Sequence, residues 1–359
     1  MASLWSPFQI KGLSLKNRVV MAPTVKFCIN RPDGSVCDEL VEHYRRRARS
    51  GTGLIIVEAT APTVGGKLHK NNLGLWGDEQ IPGLARIASV IHAEGAQAIL
   101  QLCYTGVSSK DPDADRVSPS PVYFQGGADI WLGRELTQEE IRAIQLSYRD
   151  AARRAWQAGF DGVEIHCTHS KLYGYFFDAV TNRRTDGYGG SFENRARIFT
   201  QTLALVRGAV PADFVVGLRV GVNLPDYENA RGILKAVDAA HPDYYHFSIN
   251  MALPDVSVPP PAGFPCSTAI WDGARLRKEV TAPVILSHEI ALPSQAEYLL
   301  ENDLADLVSI GRGMLADWDW TRKAKEGTPV DACRHCTVCQ WRTDLHRCPA
   351  VFAREQSQP

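Results

Sequence analysis

Nowhere in the 359 residues is there a run of about 18 apolar residues, so the sequence offers no segment able to span a bilayer as a helix. A charge bias is also missing. Against 39 Lys and Arg stand 40 Asp and Glu, a net of −1, which excludes the basic field expected of a nucleic-acid or membrane-surface partner. The opening, MASLWSPFQI, has neither a charged n-region nor a long apolar core, so no secretory leader is expected and a cytoplasmic location is. No repeat and no low-complexity linker divides residues 1–325, which read as one domain followed by a cysteine-rich tail over 326–359. The nine cysteines are an odd number in a chain large enough to need no staple, which argues against a disulfide framework.

What is present is an alternation. Short apolar runs lie at 18–23, 54–59, 96–102, 161–166, 215–220, 243–248, 283–287 and 306–311. Their near-continuous apolar character suits strands covered on both faces. Between them run segments with helical spacing, at 38–51, 79–95, 137–159, 191–208, 228–240, 267–280 and 292–302. The third of these opens on Thr137 and Glu140, the spacing of a capping box, and stops at Gly159. Eight strands, with no Gly-rich turn after the first, point to an α/β fold: a (β/α)8 TIM barrel rather than an open doubly wound sheet. The long connection 103–136 follows the third strand, where a lid or substrate loop is expected.

The stretch GVEIHCTHSKLYGYF, residues 162–176, ends the fourth strand on His166 and places His169 three residues on. At the carboxyl end of a barrel strand both rings can face the active-site mouth. Two imidazoles there make an anchor for a carbonyl, carboxylate or nitro oxygen on which charge develops. A zinc pair lacks a nearby acidic ligand and the helical i, i+4 spacing.

The stretches GVEIHCTHSKL and AVTNRRTDGYGGSFENRARI, with LKNRVVMAPTV, LIIVEAT and ADLVSIGRGMLAD, closely resemble the Old Yellow Enzyme family of FMN-dependent oxidoreductases over roughly residues 5–325. The resemblance implies an FMN-binding barrel that uses NAD(P)H as reductant and acts on a small molecule. It places His166 and His169 on the substrate's activating oxygen and Gln101 on the flavin pyrimidine ring. Arg219 falls near flavin N1, where a permanent guanidinium favours the anionic reduced ring. Gly311 and Arg312 match the phosphate grip, with Ser287 and His288 beside it. Ala22, Pro23, Thr24, Val25 and Ala59 match the backbone lining the isoalloxazine.

The sequence departs from the family pattern where substrate chemistry would occur. Two residues after His169, the family's proton-donating tyrosine is replaced by Lys171, which could supply a proton, bind an anionic substrate or point to solvent. Tyr173 and Tyr104 are nearby substitutes, out of register. Val25 replaces a Thr or Cys that tunes the flavin, Cys103 and Tyr104 replace a common Trp and His, and His288 and Glu289 replace two glycines beside the phosphate.

Cys333, Cys336, Cys339 and Cys348 form a C-x2-C-x2-C-x8-C-P run. Such spacing looks more like the ligation of a [4Fe–4S] cluster than like the paired knuckles of zinc, which remains the alternative. It resembles, with shorter spacing, the tail of the cluster-bearing 2,4-dienoyl-CoA reductases and trimethylamine dehydrogenases. A cluster here would call for an external electron-transfer partner. A homo-oligomer is compatible with the sequence. Three functions follow as expectations: reduction of an enone or dienoyl C=C, oxidative dehydrogenation or demethylation with electrons leaving through a cluster, and a non-catalytic flavin-binding auxiliary subunit.

Overall fold

The structure, a computed structural model, describes residues 2–126, 129–250 and 258–357. Eight parallel strands close into a barrel: Val19–Met21, Leu54–Thr60, Gln97–Leu102, Gly162–Cys167, Val215–Gly221, Tyr245–Ser248, Val284–Leu286 and Leu307–Ile310. Each pairs with its successor and the last pairs with the first. Every one overlaps an apolar run read from the sequence. Around them pack the helices, among them Asp38–Arg49, Ile81–Ala93, Gln138–Gln157 and Phe192–Arg207. The capping box at the third is formed: the Glu140 N–H donates to Thr137 Oγ1 at 3.2 Å, and the Thr137 N–H to Glu140 Oε2 at 2.8 Å.

Side chains alternate along each strand between the helix layer and the interior, so interior residues recur every second position. At the lower end they are apolar: Val20, Leu54, Ile56, Ile99, Val215 and Ile285 form one cluster. A two-stranded hairpin, Phe8–Ile10 with Leu13–Leu15, closes that end by adding Ile10 and Leu15 to the cluster. Two residues beyond Val20, Ile99 and Ile285 come Ala22, Gln101 and Ser287, and four beyond Val215 comes Arg219. Interior space is tight at the crossover: a Cβ on Gly217 would lie 2.1 Å from the Tyr244 ring. The period that builds the core thus delivers polar groups to the carboxyl end.

The second strand breaks this period. Its register against Gln97–Leu102 shifts between Val57 and Thr60, a bulge that re-aims Glu58. The fully buried Glu58 carboxylate meets the equally buried Lys26 ammonium and the Tyr44 hydroxyl of the first helix. Lys26 Nζ also donates to the carbonyl of Thr24 at 2.9 Å, fixing the segment that follows the first strand.

The connection 103–136 contains more than a loop. Val117–Ser118, Val122–Gly126 and Asp129–Glu135 make a three-stranded sheet above the third strand. The tail is folded against the barrel as well: Trp341 and Val351 bury against Leu315, and Arg354 of the helix Pro349–Ser357 pairs with Asp317 and Asp331. No helix among the described residues is long and apolar enough to cross a membrane.

Candidate active site at the carboxyl end of the barrel

The deepest polar group is Glu164, wholly buried on the fourth strand. Gln101 Nε2 donates to its Oε1 at 2.7 Å, the Tyr244 hydroxyl donates to Oε2 at 3.0 Å, and His246 Nδ1 lies 2.9 Å from Oε2. Burial would push this carboxyl up, but the His246 imidazole and the Arg219 guanidinium, with the Gln101 amide, hold it below the usual carboxylate range. A full negative charge therefore sits under the mouth, answered by Arg219. Burial lowers the Arg219 pKa from an ordinary value so high that the guanidinium stays charged.

Above Glu164, His166 and His169 have ring centroids 5.3 Å apart at 65°. Burial, then the neighbouring cations, push both rings well below the ordinary histidine range, so both are neutral at pH 7. Each then offers one donor and one acceptor. His169 Nε2 lies 3.2 Å from Ser248 Oγ, whereas His166 Nδ1 is buried with no partner among the described residues. The chain reverses at this point through two consecutive left-handed residues, His169 at φ 54° and Ser170 at φ 56°. Non-glycine residues seldom adopt that conformation, and strain of this kind collects at functional sites.

A cavity of about 170 Å³ opens beside this layer, with Ala22, Pro23 and Thr24 on one wall. Arg219, Ser287, His288, Gly311 and Arg312 continue it. Two of its lining residues carry buried polar atoms with no partner among the described residues, Arg219 Nε and Ser309 Oγ. Polar groups that are desolvated but unpaired are costly unless a ligand completes them.

The profile of the NADH:flavin oxidoreductase / NADH oxidase family matches residues 3–331. The chain belongs to that family. The NADPH dehydrogenase of Listeria monocytogenes serotype 4b is 35% identical over 325 residues, spanning 88% of this chain and 92% of its own length. The NADH oxidase of Thermoanaerobacter brockii is 34% identical over 349 residues, 94% of this chain but 52% of the longer relative. Among solved structures, morphinone reductase in complex with tetrahydroNAD superposes with a TM-score of 0.77 at 28% identity, over 93% of both chains. A 2-naphthoyl-CoA reductase complex superposes with a TM-score of 0.84 at 26% identity, over 94% of this chain and 54% of that one. The protein is accordingly an FMN-dependent oxidoreductase of Old Yellow Enzyme type.

For this oxidoreductase, the orphaned Arg219 Nε and Ser309 Oγ are what an acceptor-rich flavin ring calls for, so the residues present fit FMN. The cavity brings together eight of the flavin-binding candidates: Ala22, Pro23, Thr24, Arg219, Ser287, His288, Gly311 and Arg312. Gln101 lies lower, committed to Glu164. Val25 is half-buried next to Thr24, and Ala59 is buried with its carbonyl accepting from Asn72 Nδ2 at 2.8 Å. At the anionic end the departure from two glycines has a consequence. Glu289 holds Arg312 Nη2 at 2.8 Å, so the arginine expected to grip phosphate already has a carboxylate.

Two sequence candidates part company after His169. Lys171 is buried and donates from Nζ to the His169 carbonyl at 3.0 Å. Tyr173 does not join the mouth. It sits on the short helix Leu172–Phe177, and its hydroxyl pairs with Thr202 Oγ1 at 2.8 Å in the helix layer. The reversal at 169–170 turns the chain so that sequence proximity no longer means proximity to the histidines. Ser248, Glu164, Tyr244, His246 and Ser309 were absent from the sequence candidates. Counting every second residue along the strands would have found them.

Cys333, Cys336, Cys339 and Cys348 line a single cavity together with Arg312 and Trp341. The expected metal set is nevertheless not assembled: among the described residues no group of three or more His, Cys, Asp or Glu is arranged to hold a metal ion. All four thiols are free. Cys333 and Arg312 stand in the walls of both cavities, and His335 lines the larger one, 3.9 Å from Glu289.

Proposed function

We propose that this oxidoreductase reduces a carbon–carbon double bond conjugated to a carbonyl, with NAD(P)H as the donor. The observation that carries the reading is the pair of neutral imidazoles at the mouth, His166 buried with a nitrogen unpartnered among the described residues and His169 half-buried. Bound FMN would supply the hydride to the β-carbon, and the α-carbon takes its proton from solvent. His166 and His169 hold the carbonyl oxygen and stabilise the negative charge that grows on it, which a neutral N–H does without first losing an ion partner. Arg219 and Ser309 offer the unpaired donors on the flavin side. The Glu164 carboxylate offsets the Arg219 charge from below.

The test is anaerobic. FMN-loaded protein is reduced with NADPH and mixed with a panel of cyclic enones in a stopped-flow spectrometer. Reoxidation by at least one member is expected. Replacing both histidines by alanine should slow it by about 10² to 10³-fold with FMN still bound. Absence of reoxidation by any member overturns the reading.

For the tail, the reading is a [4Fe–4S] cluster rather than zinc. Zinc needs four sulfurs about 2.3 Å from one point. The four thiols line one cavity, and three of them at successive x2 spacing, with a remote Cys-Pro, favour the cluster. A second functional reading, dehydrogenation with electrons passed to an external acceptor, is favoured by the placement of Cys333 between the two cavities. Turnover that needs an added acceptor, and not NAD(P)H, distinguishes it.

A further inference from the structure

Three lysines are buried in this protein, and one of them differs from the other two. Lys26 meets the carboxylate of Glu58, and Lys67 meets that of Asp111 at 2.6 Å. Lys171, 7% exposed, has no carboxylate partner among the described residues. Its ammonium donates to the His169 carbonyl, which leaves donors over. The charged or ionisable groups acting on it are the Cys103 thiol and the Arg342 guanidinium of the tail. Burial pushes Cys103 up to about 11, so it is neutral at pH 7, and Arg342 repels.

A desolvated cation without a counterion is costly, and a fold that keeps one generally has a use for it. The position narrows the use. Lys171 Nζ sits 3.0 Å from the His169 carbonyl, and its charge acts on His166 and on Cys103, the residue after the third strand, so it lies next to the imidazole pair. The two imidazoles there are neutral and suit a carbonyl oxygen. Burial lowers the Lys171 pKa from the ordinary lysine value, and an anionic oxygen brought against Nζ favours its charged form, one charge answering one, as on a carboxylate rather than a dianionic phosphate.

We propose that Lys171 is a specificity-determining residue that binds a carboxylate on the substrate, so that the substrate class is an unsaturated carbonyl compound bearing a carboxylate. This rests on the double-bond reduction proposed above and names its substrate class. The arginine at 342, exposed at the rim, adds to the field that draws such an anion in.

The experiment compares 3-oxocyclohex-1-ene-1-carboxylate with its methyl ester on the FMN-loaded protein. Affinity is read by calorimetry, and turnover by reoxidation of the reduced flavin. Wild type should bind the carboxylate about 10- to 100-fold tighter than the ester, the range of a hydrogen bond to a charged group. Lys171→Met should abolish that preference while leaving the ester's affinity unchanged, and Lys171→Arg should keep part of it. Equal affinity of wild type for the two compounds overturns the proposal without recourse to any variant. So does a Lys171→Met protein that retains the preference but loses kcat equally on both compounds, since the lysine would then be the proton donor. A wild type that prefers the carboxylate but is reoxidised by neither compound keeps the anion site and removes the double-bond reading instead.

Discussion

The mouth of the barrel and the cysteine tail are neighbours that share Cys333 and Arg312, yet they are built on opposite principles. In the mouth, most polar side chains answer one another: Glu164 alone collects groups from the third, fifth and sixth strands and from Tyr244 just ahead of the sixth. Its geometry is set by the fold before any ligand arrives, which is how a preorganised site is made. In the tail, four free thiols line one cavity. Sites of that second kind take their final order from what they bind. The contrast separates what the chain supplies from what it waits for.

The sharpest way to break this comparison is at its centre. Glu164→Ala removes the carboxylate and leaves Arg219, Tyr244 and His246 buried without it. A loss of about 3–5 kcal/mol is expected in urea unfolding, together with loss of FMN. A loss under about 1 kcal/mol would show that the network is not what shapes the mouth.

Acid acts on the same region. His43, His166 and His169 are all held well below the ordinary histidine range by burial. Below about pH 6.5 the unfolded chain binds protons that the folded chain refuses, so stability falls as pH falls. Each histidine should contribute roughly 1 kcal/mol of loss between pH 6.5 and 5.5, read as the urea midpoint. Above pH 7 these residues leave the midpoint flat.

The tail should respond differently. Cys339→Ser is expected to remove iron and sulfide from anaerobically purified protein while shifting barrel stability by less than about 1 kcal/mol. An equal iron content in the variant would remove the thiols from the site. The smallest effect belongs to Glu289. Its pair with Arg312 is about two-fifths exposed and therefore screened. Glu289→Gln should free the arginine and tighten FMN binding only about two- to fivefold, measured by fluorescence quenching.

The barrel was legible because each strand is an apolar run bounded by polar residues, and the pattern is local. The hairpin at 8–15 was not, since strands of three residues are too short to display a period. The sheet within 103–136 was hidden for another reason: Tyr123, Ile130 and Leu132 face outwards, 78%, 65% and 52% exposed, while Val122 and Phe124 face inwards, so apolar residues stand on both faces and no alternation marks it. Site residues at strand ends were legible through the motifs that carry them. The partners of Glu164 were not, because Gln101 lies 63 residues from it, Tyr244 80 and His246 82. Nothing local tells one carboxylate which of many distant groups it will meet. Tyr173 misled for the converse reason: it is near His169 in sequence, and a two-residue reversal sends it elsewhere.

The two-residue pitch of the fourth strand makes length a chemical quantity. Deleting a single residue between Gly162 and Glu164 would swing imidazole 166 outwards among the helices and seat a thiol, Cys167, in its place. Connections beyond the strand ends obey no such ruler. Over evolutionary time this chain is free to change what it recognises by growing or trimming its loops, while its strands can scarcely gain or lose a link.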